Sequence, residues 1–206
     1  MDEHELWDEL CLCILSSNVP SEMARSAYLQ LQAKGLLDTE SLGNLSKNEI
    51  AHELGRPIYL PRRRNGQFRR YRFPNVRASN IVRTHDVLYQ QGPEIKGILL
   101  EDSSDMVREL LARTLPGIGM KEASHFLRNV KYSDSLAIID SHVIRFLEEN
   151  LGLPLEFKGT NGLSLGGYIE LENVLKQISA NLEIRLGVLD MAIWNSMREG
   201  SQRELS

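Results

Sequence analysis

Leu115-Pro116-Gly117-Ile118-Gly119-Met120-Lys121 is the stretch on which the reading of this chain turns. Segments 104–114 and 121–130, on either side, have helical apolar spacing. A Pro-Gly-x-Gly link between two helices is a tight turn. Pro116 fixes its own backbone, while Gly117 and Gly119 accept conformations that other residues resist. Such a turn frees the N–H groups of Ile118, Gly119 and the next helical turn to converge on a phosphate, aided by the helix N-terminus. That contact holds a nucleic acid in register without reading its sequence.

Outward from the turn, helix dominates. Leu6, Leu10, Ile14 and Leu15 form an apolar stripe that stops at the polar break Ser16-Ser17-Asn18-Val19-Pro20. Ser21 is expected to cap a helix over 21–34, stopped by Gly35. Ser46-Lys47-Asn48-Glu49 reads as a capping box opening a short helix that ends at Gly55. Helical spacing recurs over 76–91, 140–150, 165–181 and 186–199, and the glycine-rich segment 157–167 reads as a surface loop. Ile58-Tyr59-Leu60-Pro61 and Phe68-Arg69-Arg70-Tyr71-Arg72-Phe73 flank Asn65-Gly66, the strongest short hairpin signal. The expected fold class is therefore mainly all-α, with a small basic β-hairpin as insert; a disordered arginine-rich loop is the alternative for that segment.

With 206 residues, 42% hydrophobic and 25% charged, the chain can bury a proper core. No apolar run approaches the roughly 20 residues that span a bilayer, so no membrane partner is expected. The acidic start Met1-Asp2-Glu3-His4-Glu5 is unlike a signal or transit peptide, which makes the cytoplasm the expected compartment. Cys11 and Cys13 are the two cysteines. Spaced by two on a helix they diverge by about 200°, too far to grip one metal together, and an iron–sulfur cluster needs about four cysteines. No metal site is expected from them. The net charge of −4 argues against a polyanion partner, but the charge is unevenly placed. Residues 54–85 hold no acid and nine arginines, namely Arg56, Arg62, Arg63, Arg64, Arg69, Arg70, Arg72, Arg77 and Arg83. An acidic protein can still offer one basic face.

Two side chains near the turn carry chemistry. Lys121 sits at the start of a helix, where the positive end of the dipole favours the neutral amine that attack on a sugar carbon requires. Its bland alternative is a solvated surface lysine. Asp140 lies nineteen residues on, between the apolar run Leu136-Ala137-Ile138-Ile139 and the helical pattern of Val143, Ile144, Phe146 and Leu147. It reads as a helix N-cap. A capping aspartate facing a cleft can also stabilise the oxocarbenium that forms as a base leaves. His142 and Arg145, a turn along, are candidates for phosphate contact.

The run Leu115 to Val130, with Ala137-Ile138-Ile139-Asp140-Ser141-His142, resembles the helix–hairpin–helix DNA glycosylases. Within them it is most similar to the archaeal-type 8-oxoguanine DNA glycosylase/lyases. The likeness reaches back to Trp7, Leu10, Cys11, Cys13 and Ser16-Ser17-Asn18, and forward to Leu189-Asp190 and Ile193-Trp194. It implies two helical lobes around a DNA-binding cleft: a central lobe, 18–133 with insert 56–71, and a second from 1–17 and 134–206, with the Lys121 and Asp140 regions facing across the cleft. It implies a bifunctional DNA glycosylase and AP lyase that flips a damaged or modified base out of double-stranded DNA and removes it. Lys121 would be the Schiff-base nucleophile and Asp140 the catalytic carboxylate. Gly117, Ile118 and Gly119 would bind phosphate, with a monovalent cation assisting and no other cofactor required, and His142 would touch the DNA backbone. Asn18 falls at the position that fills the gap left by a flipped base. Phe73 is a candidate stacker in the base pocket, and Asp190 and Trp194 match positions that meet the base by hydrogen bond and by stacking. Core packing is the bland alternative for Phe73 and Trp194, and solvent exposure for Asp190. A monomer is expected.

Three departures bear on the substrate. The insert over 56–71, with Arg62, Arg63, Arg64, Arg69 and Arg70, enlarges a short connection of the family. The archaeal-type enzymes end in a lysine that helps to read 8-oxoguanine, whereas this chain ends Arg203-Glu204-Leu205-Ser206; and Ser141 stands where they usually carry arginine. A glycosylase retuned to a bulky modified base in foreign (phage) DNA, chiefly monofunctional, is one alternative. A catalytically inactive DNA-structure binding protein is the other, disfavoured because a pure binder needs neither Lys121 nor Asp140.

Overall fold

The structure is a computed structural model that describes residues 1–43, 47–152 and 163–203. Its helices are α1 (Glu3–Ser16), α2 (Ser21–Gln32), α3 (Thr39–Leu42), α4 (Lys47–Leu54), α5 (Pro74–His85), α6 (Ile95–Ile98), α7 (Ser104–Thr114), α8 (Met120–Asn129), α9 (Ser141–Leu151), α10 (Leu165–Asn181) and α11 (Leu186–Arg203). A π-helical turn, Asp86–Gln91, continues α5. The fold class is mainly all-α, as expected. The Ser46 cap, most of the 157–167 loop and residues 204–206 lie outside the described residues. No described helix is long and apolar enough to cross a membrane.

Two strands, β1 (Pro57–Ile58) and β2 (Arg69–Arg70), pair antiparallel with Pro57 opposite Arg70. The insert is therefore a hairpin, short because its ladder closes only where Ile58 and Tyr71 are buried. Gly66 takes φ +76 at its tip, the left-handed backbone that an Asn-Gly turn demands.

The chain divides into two compact units, Met1–Glu122 and Ala123–Ser206. This grouping differs from the expected division 18–133 against 1–17 plus 134–206, in that α1 falls within the first unit. Trp7 is fully buried and its indole N–H donates to the Leu37 carbonyl at 2.7 Å. The Tyr71 hydroxyl donates to Leu15 O at 2.6 Å. Glu3 accepts from the N–H groups of Ile95 and Lys96 at 2.8 and 3.0 Å, and from Tyr89 Oη at 2.9 Å. Its carboxylate thus caps α6 from ninety residues away in sequence, while Asp2 and Glu5 close a capping box on α1 itself. Ser21 is the first helical residue of α2, not its cap; Pro20 precedes it and offers no side-chain acceptor. Cys11 and Cys13 are buried on α1, and burial pushes both thiols well up.

In the second unit the run Leu136-Ala137-Ile138-Ile139 is buried, and among the described residues it has no strand partner. Three side chains accept from its N–H groups. Ala137 N–H donates to Glu172 Oε1 at 2.9 Å, Ile138 N–H to Asp190 Oδ2 at 2.7 Å, and Ile139 N–H to Tyr168 Oη at 3.2 Å. The Tyr168 hydroxyl donates in turn to Ala137 O at 2.7 Å. Buried backbone groups must be paired somewhere, and here α10 and α11 pair them.

Candidate active site

The turn before α8 is a type II turn. Pro116 takes its second position, Gly117 its third at φ +84, and Ile118 N–H closes it on Leu115 O at 3.1 Å. The Ile118 N–H is therefore committed, and its side chain is buried. That corrects the expectation that Ile118 offers its N–H to a phosphate. The donors that an α-helix leaves without an internal partner are those of its first turn, here at Met120, Lys121 and Glu122. Two residues of α5, unseen from sequence, hold the turn. The Thr84 hydroxyl donates to Pro116 O at 3.1 Å. Asn80 lies so close to Gly117 that a Cβ there would stand 2.2 Å from Nδ2. Gly117 is needed both for its backbone conformation and for this close approach. Lys121, 30% exposed, extends from the first turn of α8 with Nζ 3.7 Å from Glu122 Oε1.

Also in the first unit, Asn18 is exposed at φ +60, at the tip of the break between α1 and α2. Phe73 precedes α5, with Pro74 at the first helical position. Arg77 joins these two. Its Nη2 donates to Ser17 O at 2.8 Å, and its guanidinium lies 5.6 Å from the centre of the Phe73 ring. Arg72 approaches the same ring at 5.0 Å. Arg77 counted in the sequence only as one of nine arginines. Its burial marks it as a brace for the Asn18 loop and for Phe73.

In the second unit Asp140 caps α9, as expected. Its Oδ1 accepts from His142 N–H at 2.9 Å and Val143 N–H at 3.0 Å. No hydrogen bond among the described residues engages Oδ2. His142 meets Trp194 edge-on, ring centres 6.1 Å apart. Arg145 reaches Met197 O at 3.3 Å and pairs with Glu149. Asp190 departs most from expectation. It is 2% exposed, with Oδ2 on Ile138 N–H and Oδ1 against Arg128 Nη1. Burial raises its pKa, while Ile138 N–H and Arg128 oppose the rise. In this structure Asp190 braces the strip that leads into Asp140 and offers no free oxygen to a ligand. The resemblance singled out Asp190, but its partner Arg128 lies 62 residues away, beyond any local pattern.

Arg62, Arg63 and Arg64 are exposed at the tip of the hairpin insert. Arg70 donates to Gly55 O at 3.1 Å, and Arg69 is half-buried. Among the described residues no group of three or more His, Cys, Asp or Glu is placed to hold a metal ion.

A lysine in the first turn of a helix entered through a Pro-Gly-x-Gly hairpin, in a mainly helical chain, is the arrangement expected of the helix–hairpin–helix DNA glycosylases. Comparison with known proteins agrees. The sequence model of the family described as 8-oxoguanine DNA glycosylase matches residues 1–184, and the chain belongs to that family. It is 36% identical over 195 residues to the 8-oxoguanine DNA glycosylase/AP lyase of Saccharolobus solfataricus, covering 94% of this chain and 83% of the relative. Among solved structures it resembles the 8-oxoguanine DNA glycosylase of Methanocaldococcus jannaschii with a TM-score of 0.69, 32% identity and coverage of 94% and 78%. The same organism's 8-oxoguanine glycosylase/lyase in complex with 15mer DNA containing 8-oxoguanine matches at a TM-score of 0.67 and 33% identity, covering 93% of this chain and 80% of that one.

Proposed function

We propose that the protein excises 8-oxoguanine from double-stranded DNA and then nicks the strand, with Lys121 as nucleophile. The observation that carries this is the amine at the first turn of α8, part-exposed and directly after the hairpin turn, in a family whose named relatives are both glycosylase and lyase. Hydrolysis by activated water would need no amine; strand cleavage through an imine does.

The steps follow from the chemistry of the groups. The first-turn N–H groups of α8 hold a backbone phosphate. The target nucleotide leaves the stack, which costs a few kcal/mol, with Asn18 filling its place and Phe73 and Trp194 offering stacking faces. The glycosidic bond breaks, its electron pair leaving with the base, and the Asp140 carboxylate stabilises the positive charge on the sugar through the oxygen that capping leaves free. Lys121 Nζ bonds to C1′, and opening of the sugar ring gives the imine. Loss of a C2′ proton expels the 3′ phosphate. His142 and Arg145 are proposed backbone contacts. The Leu115 and Pro116 carbonyls each accept one hydrogen bond and keep a second lone pair; carbonyls of this turn would hold the proposed monovalent cation, which would add positive charge beside the phosphate. The proposed compartment is the cytoplasm.

Borohydride reduces an imine and fixes the enzyme to its substrate. Wild type on an 8-oxoguanine duplex is expected to give that adduct, and Lys121→Gln to give none. An adduct that survives in Lys121→Gln moves the nucleophile elsewhere. Mass spectrometry of bases released from a panel of damaged and modified DNAs identifies the excised base.

A further inference from the structure

The hairpin insert carries more than arginines. Tyr59 and Phe68 stand on its two arms, 67% and 50% exposed, with ring centres 6.3 Å apart and planes tilted by 41°. Arg62 lies over both, 5.3 Å from the Tyr59 ring and 4.8 Å from the Phe68 ring. Beneath them a groove of about 610 Å³ opens between the hairpin and α2, lined by Leu29, Tyr59, Leu60, Phe68 and Arg25, with Glu22 as its carboxylate. The Leu60 N–H donates to Ser26 Oγ at 3.2 Å, which ties the hairpin arm to α2. Two aromatic rings this exposed and this close together form an apolar patch, and covering either one is worth about 1.5–3 kcal/mol.

We propose that this platform binds unpaired nucleotides, the bases stacking on Tyr59 and Phe68 while the backbone runs past Arg62, Arg63 and Arg64. Charge selects this occupant over an apolar peptide. The segment 54–85 has nine arginines and no acid, and Arg63 and Arg64, which follow Arg62 in the chain, are exposed. Aromatic faces interleaved with cations are how proteins hold single strands without reading sequence, because every base has a π-face. The inference rests on the reading that the protein acts on DNA, and adds that it prefers lesions next to unpaired strand, such as overhangs and gaps. This preference is a function for the insert, which phosphate gripping alone leaves unexplained.

The test compares wild type with the double variant Tyr59→Leu/Phe68→Leu, which keeps apolar bulk and removes the π-faces. Both positions are exposed, so folding is checked simply by circular dichroism. Anisotropy titrations use a blunt 8-oxoguanine duplex, the same duplex with a single-stranded tail, and a poly-dT strand. Wild type is expected to bind the tailed duplex about tenfold more tightly than the blunt one. The variant is expected to lose that margin and its poly-dT binding, with blunt-duplex affinity and single-turnover excision unchanged. A wild type indifferent to the tail overturns the inference. So does a variant that binds the tail as well as wild type, the result a peptide groove predicts because leucine fills it as well. Absence of base release by wild type overturns the glycosylase reading instead and leaves the titrations readable.

Discussion

Asp140 shows how one carboxylate divides between structure and chemistry. Its Oδ1 takes two N–H groups of α9, and no hydrogen bond among the described residues engages Oδ2. The two roles separate by substitution. Asn is as good an N-cap as Asp, whereas Ala loses about 1 kcal/mol at such a position. Asp140→Asn is therefore expected to melt near wild type while single-turnover excision falls by a hundredfold or more, since the side chain no longer offers charge to the sugar cation. Asp140→Ala is expected to lose both activity and about 1 kcal/mol of stability. An Asp140→Asn enzyme of wild-type rate would leave Asp140 a cap alone. Asp140 could be found from sequence because a cap and the helix it opens are adjacent. Arg77 could not, because its acceptor on Ser17 lies 60 residues away and nothing local separates a buried arginine from the exposed ones around it.

At the scale of elements, apolar spacing gave α7 and α10 their bounds, whereas α11 runs to Arg203, four residues past the expected end at 199. The short α3 and α6 escaped, since four residues hold too few apolar positions to define a period. The run Leu136–Ile139 was legible as apolar, but its fixation was not, because its three acceptors come from α10 and α11. Asp190 is the most exacting of them. Its raised pKa means that the folded state holds the proton more tightly than the unfolded chain. Its contribution is full below the unfolded value and falls as pH rises through the folded one. Asp190→Asn does not titrate at this position. Urea melts from pH 7 downward are expected to show wild type gaining stability relative to Asp190→Asn as pH drops through the raised folded value. A difference that is flat or moves the opposite way would mean that Arg128 outweighs burial. Asp190→Ala, which leaves Ile138 N–H and Arg128 without their acceptor, is expected to lose about 2–4 kcal/mol.

At the scale of the molecule, a net charge of −4 coexists with a DNA-directed reading because charge is segregated along the chain. The division into units was the least legible feature. Sequence likeness grouped 1–17 with 134–206, but the contacts of α1 run to Leu37, Tyr71, Tyr89, Ile95 and Lys96, all within Met1–Glu122. Those partners lie 30 to 93 residues from α1, so the grouping depends on closures that no periodicity encodes. It has a consequence for cooperativity. Elements that share a core open together, and α1, with Trp7, Leu10 and Ile14 buried, packs on α2, α5 and α6 of the first unit. Native-state hydrogen exchange in low denaturant is expected to give the α1 amides the same opening free energy and denaturant slope as those of α2 and α5. Glu3→Gln, which weakens the cap on α6, is expected to lower that shared value by about 1 kcal/mol and to leave the α10 amides unchanged. Exchange of α1 in step with α10 and α11 would instead restore the grouping read from sequence, and would make the Glu3, Trp7 and Tyr71 contacts incidental to the unit that they join.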